Sequence, residues 1–309
     1  MGRKITASFG LINEGITAVI EMADASGLRL LKQSELNPLR ASSSGTGTLL
    51  KAALDKGVEK IIIAMGGSAT VDGGIGILGE LGVRFLDSNN KLLQNIPEAF
   101  GDLAHISLSH LDGRIFNCEV IILCDVNNTL LGAKGAAAVF GPQKGATAEM
   151  IEKLEVFLSK LNEVVLEHTG IDMSVIKSGG TAGGAAAGLS TLINAKLVNG
   201  IDYFLQLTNF DEAVKRNDLV ITGEGSIDNQ TLQGKGPYGV ASKAKQNDLQ
   251  VIGIAGIVPL SPNEELEKYF DVLIAIGHEP HNMQTAMRLT SRNLKRVAKQ
   301  IGNLLSVRK

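Results

Sequence analysis

Apolar positions along the chain gather into short unbroken runs separated by stretches of helical period. Lys60 to Met65 (KIIIAM) and Val120 to Cys124 are apolar runs of strand length. Such runs suit strands covered on both faces of a parallel sheet. Leu219–Thr222, Val251–Ala255 and Asp271–Ile276 repeat the pattern in the last third. Helical period predicts helices over 45–54, from Gly74 to about Gly82, over 148–168, from about Gly188 to Leu197, over 239–246 and over 283–305. Strand and helix alternating in this way predict a parallel sheet with right-handed crossovers. Near the start, Ile5, Ala7 and Phe9 alternate with polar residues ahead of Asn13-Glu14-Gly15, and Thr17–Met22 follows. That order predicts a β-hairpin.

A chain of 309 residues suits two domains or one large α/β unit, and 44% hydrophobic residues supply a core. Aromatics are only 4%, so Ile, Leu, Val and Ala must fill it. The net charge of −2 lacks the electrostatic footprint of a nucleic-acid binder. An anionic ligand would then be held by a few local cations and by backbone N–H groups. Two cysteines, Cys118 and Cys124, make neither a disulfide scaffold nor a metal-site spacing. No apolar run reaches transmembrane length and no signal-peptide pattern opens the chain, so the expected location is cytoplasmic, away from membranes.

In an open parallel sheet, ligands sit beyond the carboxyl ends of the strands. Gly66-Gly67-Ser68-Ala69-Thr70-Val71-Asp72-Gly73-Gly74 follows the KIIIAM run directly. Small residues there let backbone N–H groups face an anion ahead of a helix N-terminus, and Ser68 and Thr70 add hydroxyl donors. Asp72 fits either a cation ligand, a base accepting a substrate hydroxyl proton, or the cap of the following helix. Gly223-Glu224-Gly225-Ser226-Ile227-Asp228 is a second expected loop, with Lys235 downstream. Its two carboxylates and a lysine suit a Mg²⁺–phosphate site or a solvated, capped loop. Asp125, at the end of Val120–Cys124, could meet metal or a substrate hydroxyl, and Lys144 could meet an anion or lie on the surface. Gly179-Gly180-Thr181-Ala182-Gly183-Gly184 suits an anion nest or a close helix-packing site.

The Walker pattern, the dinucleotide fingerprint and a G-x-S-x-G nucleophile elbow after a strand are all absent. The five histidines are scattered, with His278 and His281 in one region, and read as surface or packing residues. Up to this point the residues describe an α/β enzyme for an anionic ligand, most simply a phosphate.

The ordered blocks IIIAMGGSATVDGGIGIL, ILCDVNNTLLGAKGAAAVFGPQKGA, TAGGAAAGL, LVITGEGSIDNQTLQGKGPYGVASKAK and VIGIAGIV resemble the type-1 glycerate kinase family, collinearly over nearly the whole chain. The resemblance implies ATP-dependent phosphorylation of D-glycerate with Mg²⁺. It also implies a two-domain α/β fold: an inserted mixed α/β domain over 1–210, and over 211–309 the C-terminal part of a discontinuous, flavodoxin-like three-layer parallel domain. Asp72, Asp125 and Lys144 become the expected catalytic groups. Gly66, Gly67, Ser68, Thr70, Gly73, Gly74, Gly183, Gly184, Gly223, Glu224, Gly225 and Lys235 become the expected substrate and nucleotide contacts, with Glu224 and Asp228 holding the metal. A homodimer is compatible with such an enzyme.

The family's opening strand with its D-S-[FY]-K loop and its D-G-G-E-G-T segment have no counterpart, an expected shortfall of about 70 residues at the N-terminal side. Val71 stands where the family usually has Asn, Ser226 where it has Arg, and Gly236 where it has Val. These departures motivate an alternative expectation, a catalytically impaired or binding-only homologue. A nicotinamide-dependent dehydrogenase is the remaining alternative and lacks its fingerprint.

Overall fold

Asn13, Glu14 and Gly15 all take left-handed backbone conformations, at φ 52, 58 and 91°, and reverse the chain between β1 (Gly10–Ile12) and β2 (Thr17–Glu21). The two strands pair antiparallel, with Ile12 opposite Thr17. The predicted hairpin is therefore present, but its first strand begins at Gly10. Ala7 and Phe9 pack against the core without joining the ladder, and Ile5 is exposed. These features come from a computed structural model that describes residues 1–93, 97 and 100–307. The chain divides into two units, Met1–Gly200 and Ile201–Lys309.

The first unit is built on a five-stranded sheet. After β2 come α1 (Met22–Ser26), α2 (Ser44–Asp55), β3 (Lys60–Ala64), α3 (Ile75–Glu80), β4 (Arg84–Leu86), β5 (His105–Ser107), β6 (Glu119–Cys124), α4 (Ala136–Phe140), α5 (Ala148–Thr169), α6 (Ala185–Ile193) and β7 (Lys196–Asn199). The sheet order is β1-β2-β3-β6-β7, parallel except for β1, while β4 and β5 form a separate antiparallel pair. The apolar runs occupy the centre: Ile61, Ile62 and Ile63 of β3 and Val120, Ile121 and Ile122 of β6 are all buried. In α5, Leu154, Phe157, Leu158, Leu161, Val164 and Val165 recur at three- and four-residue steps and join one core with Ile77, Leu78 and Leu189. Thr147 caps its start by accepting from the Met150 N–H at 3.3 Å, and Gly170 ends it at φ 74°.

The second unit holds α7 (Gly200–Leu207, its first residue at the boundary), α8 (Phe210–Val214), β8 (Leu219–Ser226), α9 (Gly236–Lys245), β9 (Gln250–Ile257), α10 (Glu264–Glu267), β10 (Val272–Ala275) and α11 (Met283–Ser306). Its sheet runs β10-β9-β8, all parallel. Alternation along β9 sends Val251 and Ala255 to one face, with Ala241 and Ala244 of α9 and Leu266 of α10. Ile252 and Ile254 pack on the other face with Val297 and Ile301 of α11. Helices thus cover both faces, as a parallel sheet requires.

Gly223, Glu224 and Gly225 are not a loop. They continue β8, with Gly223 opposite Ile254, Glu224 opposite Ala255 and Ser226 opposite Ile257. The reason is local: a Cβ at Gly223 would overlap the Ile254 carbonyl oxygen, so glycine permits close strand approach. No helix among the described residues is long and apolar enough to cross a membrane.

Candidate active site

In the first unit the parallel register sets Glu21, Ala64, Leu123 and Val198 in one row across the sheet. β3 ends at Ala64, paired with Leu123 of β6, so Gly66 and Asp125 both lie just past the carboxyl ends of neighbouring strands. Gly66, Gly67 and Asp125 are exposed there. Behind Gly67 the loop turns inward, and Ser68, Thr70, Val71 and Asp72 are all buried.

Three supports hold this loop. On one side, Leu28 donates its N–H to the Gly67 carbonyl at 2.9 Å and Ala69 donates to Ser26 O at 2.9 Å. On another, the Lys144 ammonium donates to Ser68 Oγ at 3.0 Å and to Thr70 O at 2.7 Å. Lys144 is only 2% exposed, so the surface alternative is excluded. Burial pushes its pKa down to about 8, against an attraction to Asp72 that works the other way. Two of its three protons are used; the third has no protein acceptor among the described residues. Thr70 Oγ1 is likewise buried without a hydrogen-bond partner. Gly145, at φ 89°, lets the chain pass Leu36 as Lys144 turns in.

The third support is the other glycine cluster. Gly73 donates its N–H to Gly183 O at 3.0 Å. Cβ atoms at Gly183 and Gly188 would overlap Thr70 O and Gly73 O respectively, and one at Gly184 would meet Leu130. Gly73, Gly74, Gly183 and Gly184 were all expected as ligand contacts. They are buried against one another, and the close-packing alternative is the one the geometry takes.

Asp72 is fully buried and densely hydrogen-bonded. Oδ2 accepts the Ser43 N–H at 2.8 Å and the Ser43 hydroxyl at 2.7 Å, and Oδ1 accepts the Gly74 N–H at 3.1 Å. Burial raises its pKa, and the bonds from Ser43, Gly74 and Gly76 pull it back. The carboxylate faces the first N–H groups of α3, where an anion is favoured by the helix dipole. Its oxygens are thus taken up by Ser43 and by the turn into α3, whose N-cap residue is Gly74 rather than Asp72, and none is open at the sheet edge. Ser43 was missed by sequence reasoning; its place in a Ser-rich run before α2 reads as an ordinary cap. A cleft of about 610 Å³ passes the neighbours of this pair, with Ser42, Ser44, Lys51, Arg84 and His110 in its wall.

In the second unit, Glu224 and Asp228 are both half-buried and meet at Thr231. The Thr231 hydroxyl donates to Glu224 Oε1 at 2.6 Å and accepts the Asp228 N–H at 3.2 Å. Asp228 Oδ1 accepts from the Gln230 N–H at 2.8 Å, and Oδ2 from the Ser226 hydroxyl at 3.3 Å. Thr231 is fully buried and carried no sequence signal. Lys235 lies just before α9, whose first turn holds Pro237. Glu224 and Asp228 offer only hard oxygen donors with lone pairs to spare, which fits Mg²⁺.

The family model described as "Glycerate kinase family" matches residues 1–306. The chain is 42% identical over 309 residues to "Glycerate kinase" of Bacillus subtilis (strain 168), covering 100% of this chain and 81% of that protein. It is 39% identical over 311 aligned residues to "Glycerate 2-kinase" of Escherichia coli (strain K12), covering 99% and 81%. A crystal structure of a candidate glycerate kinase 2 from Salmonella typhimurium LT2 superposes with a TM-score of 0.83 at 39% identity, covering 99% of this chain and 80% of that one.

Proposed function

Because the chain belongs to the glycerate kinase family, we propose that it transfers the γ-phosphoryl group of ATP to a hydroxyl of D-glycerate. The observation that carries this reading is the match over residues 1–306, which includes every loop described above. The alternative of a binding-only homologue is not favoured, since the relatives at about 40% identity are named as kinases along almost all of this chain.

Phosphoryl transfer asks a protein for positioning and charge stabilisation more than for covalent chemistry. The exposed backbone of Gly66 and Gly67 receives an anionic group at the carboxyl edge of β3. Lys144 contributes positive charge from beneath that loop and fixes Ser68 and Thr70. Asp125, exposed just past the carboxyl end of the neighbouring strand β6, takes the proton of the attacking hydroxyl as the oxygen–phosphorus bond forms and the bond to the β-phosphate oxygen breaks. Asp72 acts as a positioning residue, through Ser43 and α3. Glu224 and Asp228 would hold Mg²⁺, which when bound neutralises phosphate charge; Thr231 fixes the Glu224 carboxylate and Lys235 pairs with phosphate. The three-layer arrangement of β8–β10 supports reading 211–309 as the C-terminal part of a flavodoxin-like domain and 1–210 as the inserted one. We place the enzyme in the cytoplasm.

The test is ADP release coupled to a spectrophotometric readout, with D-glycerate, ATP and Mg²⁺. Turnover that depends on all three is expected. A folded chain that binds ATP yet releases no ADP with D-glycerate would overturn the proposal.

A further inference from the structure

His278 and His281, by sequence surface or packing residues, are brought together by the fold on either side of Glu279. His278 Nε2 lies 3.4 Å and His281 Nε2 lies 3.1 Å from the same carboxylate atom, Glu279 Oε1. The ligand atoms of the three residues all fall within 4.8 Å of one another, and the rings stand edge-on at 5.7 Å between centroids. Zinc bound tetrahedrally at about 2.0–2.2 Å spaces its ligands about 3.3 Å apart. Both histidine–carboxylate separations already match that edge.

The loop is held at both ends. Arg296 of α11 donates to the Ile276 carbonyl at 3.0 Å, just before the cluster. Asn282, just after it, caps α11 by accepting the Thr285 N–H at 2.9 Å. Pro280 fixes one φ between the two histidines. Donors at i, i+1 and i+3 require almost no loop closure, so little ordering entropy opposes chelation.

We propose that His278, Glu279 and His281 form a binding site for a divalent transition metal of the zinc class, with water completing the coordination. Two imidazoles and one carboxylate are the donor set zinc takes in sites with an open position. Nitrogen donors select borderline transition ions over Mg²⁺, which prefers oxygen alone. The site is therefore chemically distinct from Glu224 and Asp228 and does not depend on the kinase reading. Bound metal would staple the segment between β10 and α11.

The experiment is calorimetric titration of the full chain with Zn²⁺ in excess Mg²⁺, alongside H278A, H281A, the double variant and E279Q, each checked for folding by circular dichroism. One Zn²⁺ per chain is expected, weakened at least tenfold by either single histidine change and lost in the double variant. Co²⁺ bound to the unmodified chain should show the intense visible bands of tetrahedral coordination, and the double variant should not. Zn²⁺ uptake unchanged in the double variant, displacement by Mg²⁺, or no uptake at millimolar Zn²⁺ would each overturn the assignment.

Discussion

Ser43 and Asp72 stand 29 positions apart in the chain, and Ser43 gives the same Asp72 oxygen both its backbone N–H at 2.8 Å and its hydroxyl at 2.7 Å. Ser43 Oγ also accepts the Ile77 N–H at 3.1 Å, so one serine joins the start of α2 to the start of α3 around a buried charge. Ser43→Ala removes the hydroxyl and leaves the carboxylate under-satisfied. A loss of about 1.5–3 kcal/mol in unfolding free energy is expected, the range for a hydrogen bond to a charged group. Chemical denaturation monitored by circular dichroism measures it; a loss within experimental error would refute the role given to Ser43.

Lys144 sets a pH signature. An unfolded lysine titrates near 10.5, and the buried one titrates at about 8. Below pH 8 both states are protonated and the folded chain bears the full cost of a buried cation. Between pH 8 and 10.5 the unfolded chain binds more protons, so this group's contribution to stability rises with pH, by up to about 3 kcal/mol. Activity runs the opposite way, because the neutral amine no longer supplies charge. The rate should therefore fall above pH 8, and Lys144→Met should lose roughly 100-fold or more in kcat/KM at pH 7. A pH–rate profile flat to pH 10 would contradict this.

Thr231→Val keeps the shape of the side chain and deletes the hydrogen bond to Glu224. The expected effect is a rise of about tenfold in the Mg²⁺ concentration giving half-maximal rate, equivalent to about 1.4 kcal/mol. Steady-state rates across a Mg²⁺ series at saturating D-glycerate measure it, with the maximal rate largely preserved.

Asp125→Asn keeps the size and removes the base. A drop in kcat of about 10²–10⁴ is expected, with the KM for ATP little changed. A variant retaining normal kcat would move the proton-accepting role elsewhere.

Gly188 lies inside α6, where alanine ordinarily improves a helix. A Cβ at Gly188 would overlap the Gly73 carbonyl oxygen. Gly188→Ala should therefore destabilise the protein by about 1–3 kcal/mol, the cost of overpacking. A thermal melt tests the sign directly.

The strands β3 and β6 were legible because their residues are apolar on both faces, as central parallel strands require. β7 was missed because Lys196 and Asn199 are exposed and the strand is short. β4 and β5 are three residues each and carry no period to detect. The glycines of 223–225 misled because glycine serves turns and close strand approach alike, and only the position of Ile254 decides between them. At the site, the loop Gly66–Gly74 and Lys144 both stand out in the sequence, and Lys144 lies against that loop through Ser68 and Thr70. What sequence did not reveal was direction: Lys144 points inward and Asp72 faces α3, because burial depends on Leu36, Ser43 and Gly183, which lie far off along the chain.

The sheet order β3-β6-β7 has a consequence for biosynthesis. β6 ends at Cys124 and its outer neighbour β7 begins only at Lys196. At roughly 5–20 residues per second, a ribosome needs several seconds to deliver the missing strand. Through that interval the apolar β6 has an open edge, and the Gly66–Gly74 loop waits for Gly183 and Gly188. The nascent chain is thus exposed to wrong strand pairing while the intervening segment, including α5, is still being made. Slower translation over 125–195 should lower the yield of active protein more than an equal delay after residue 200.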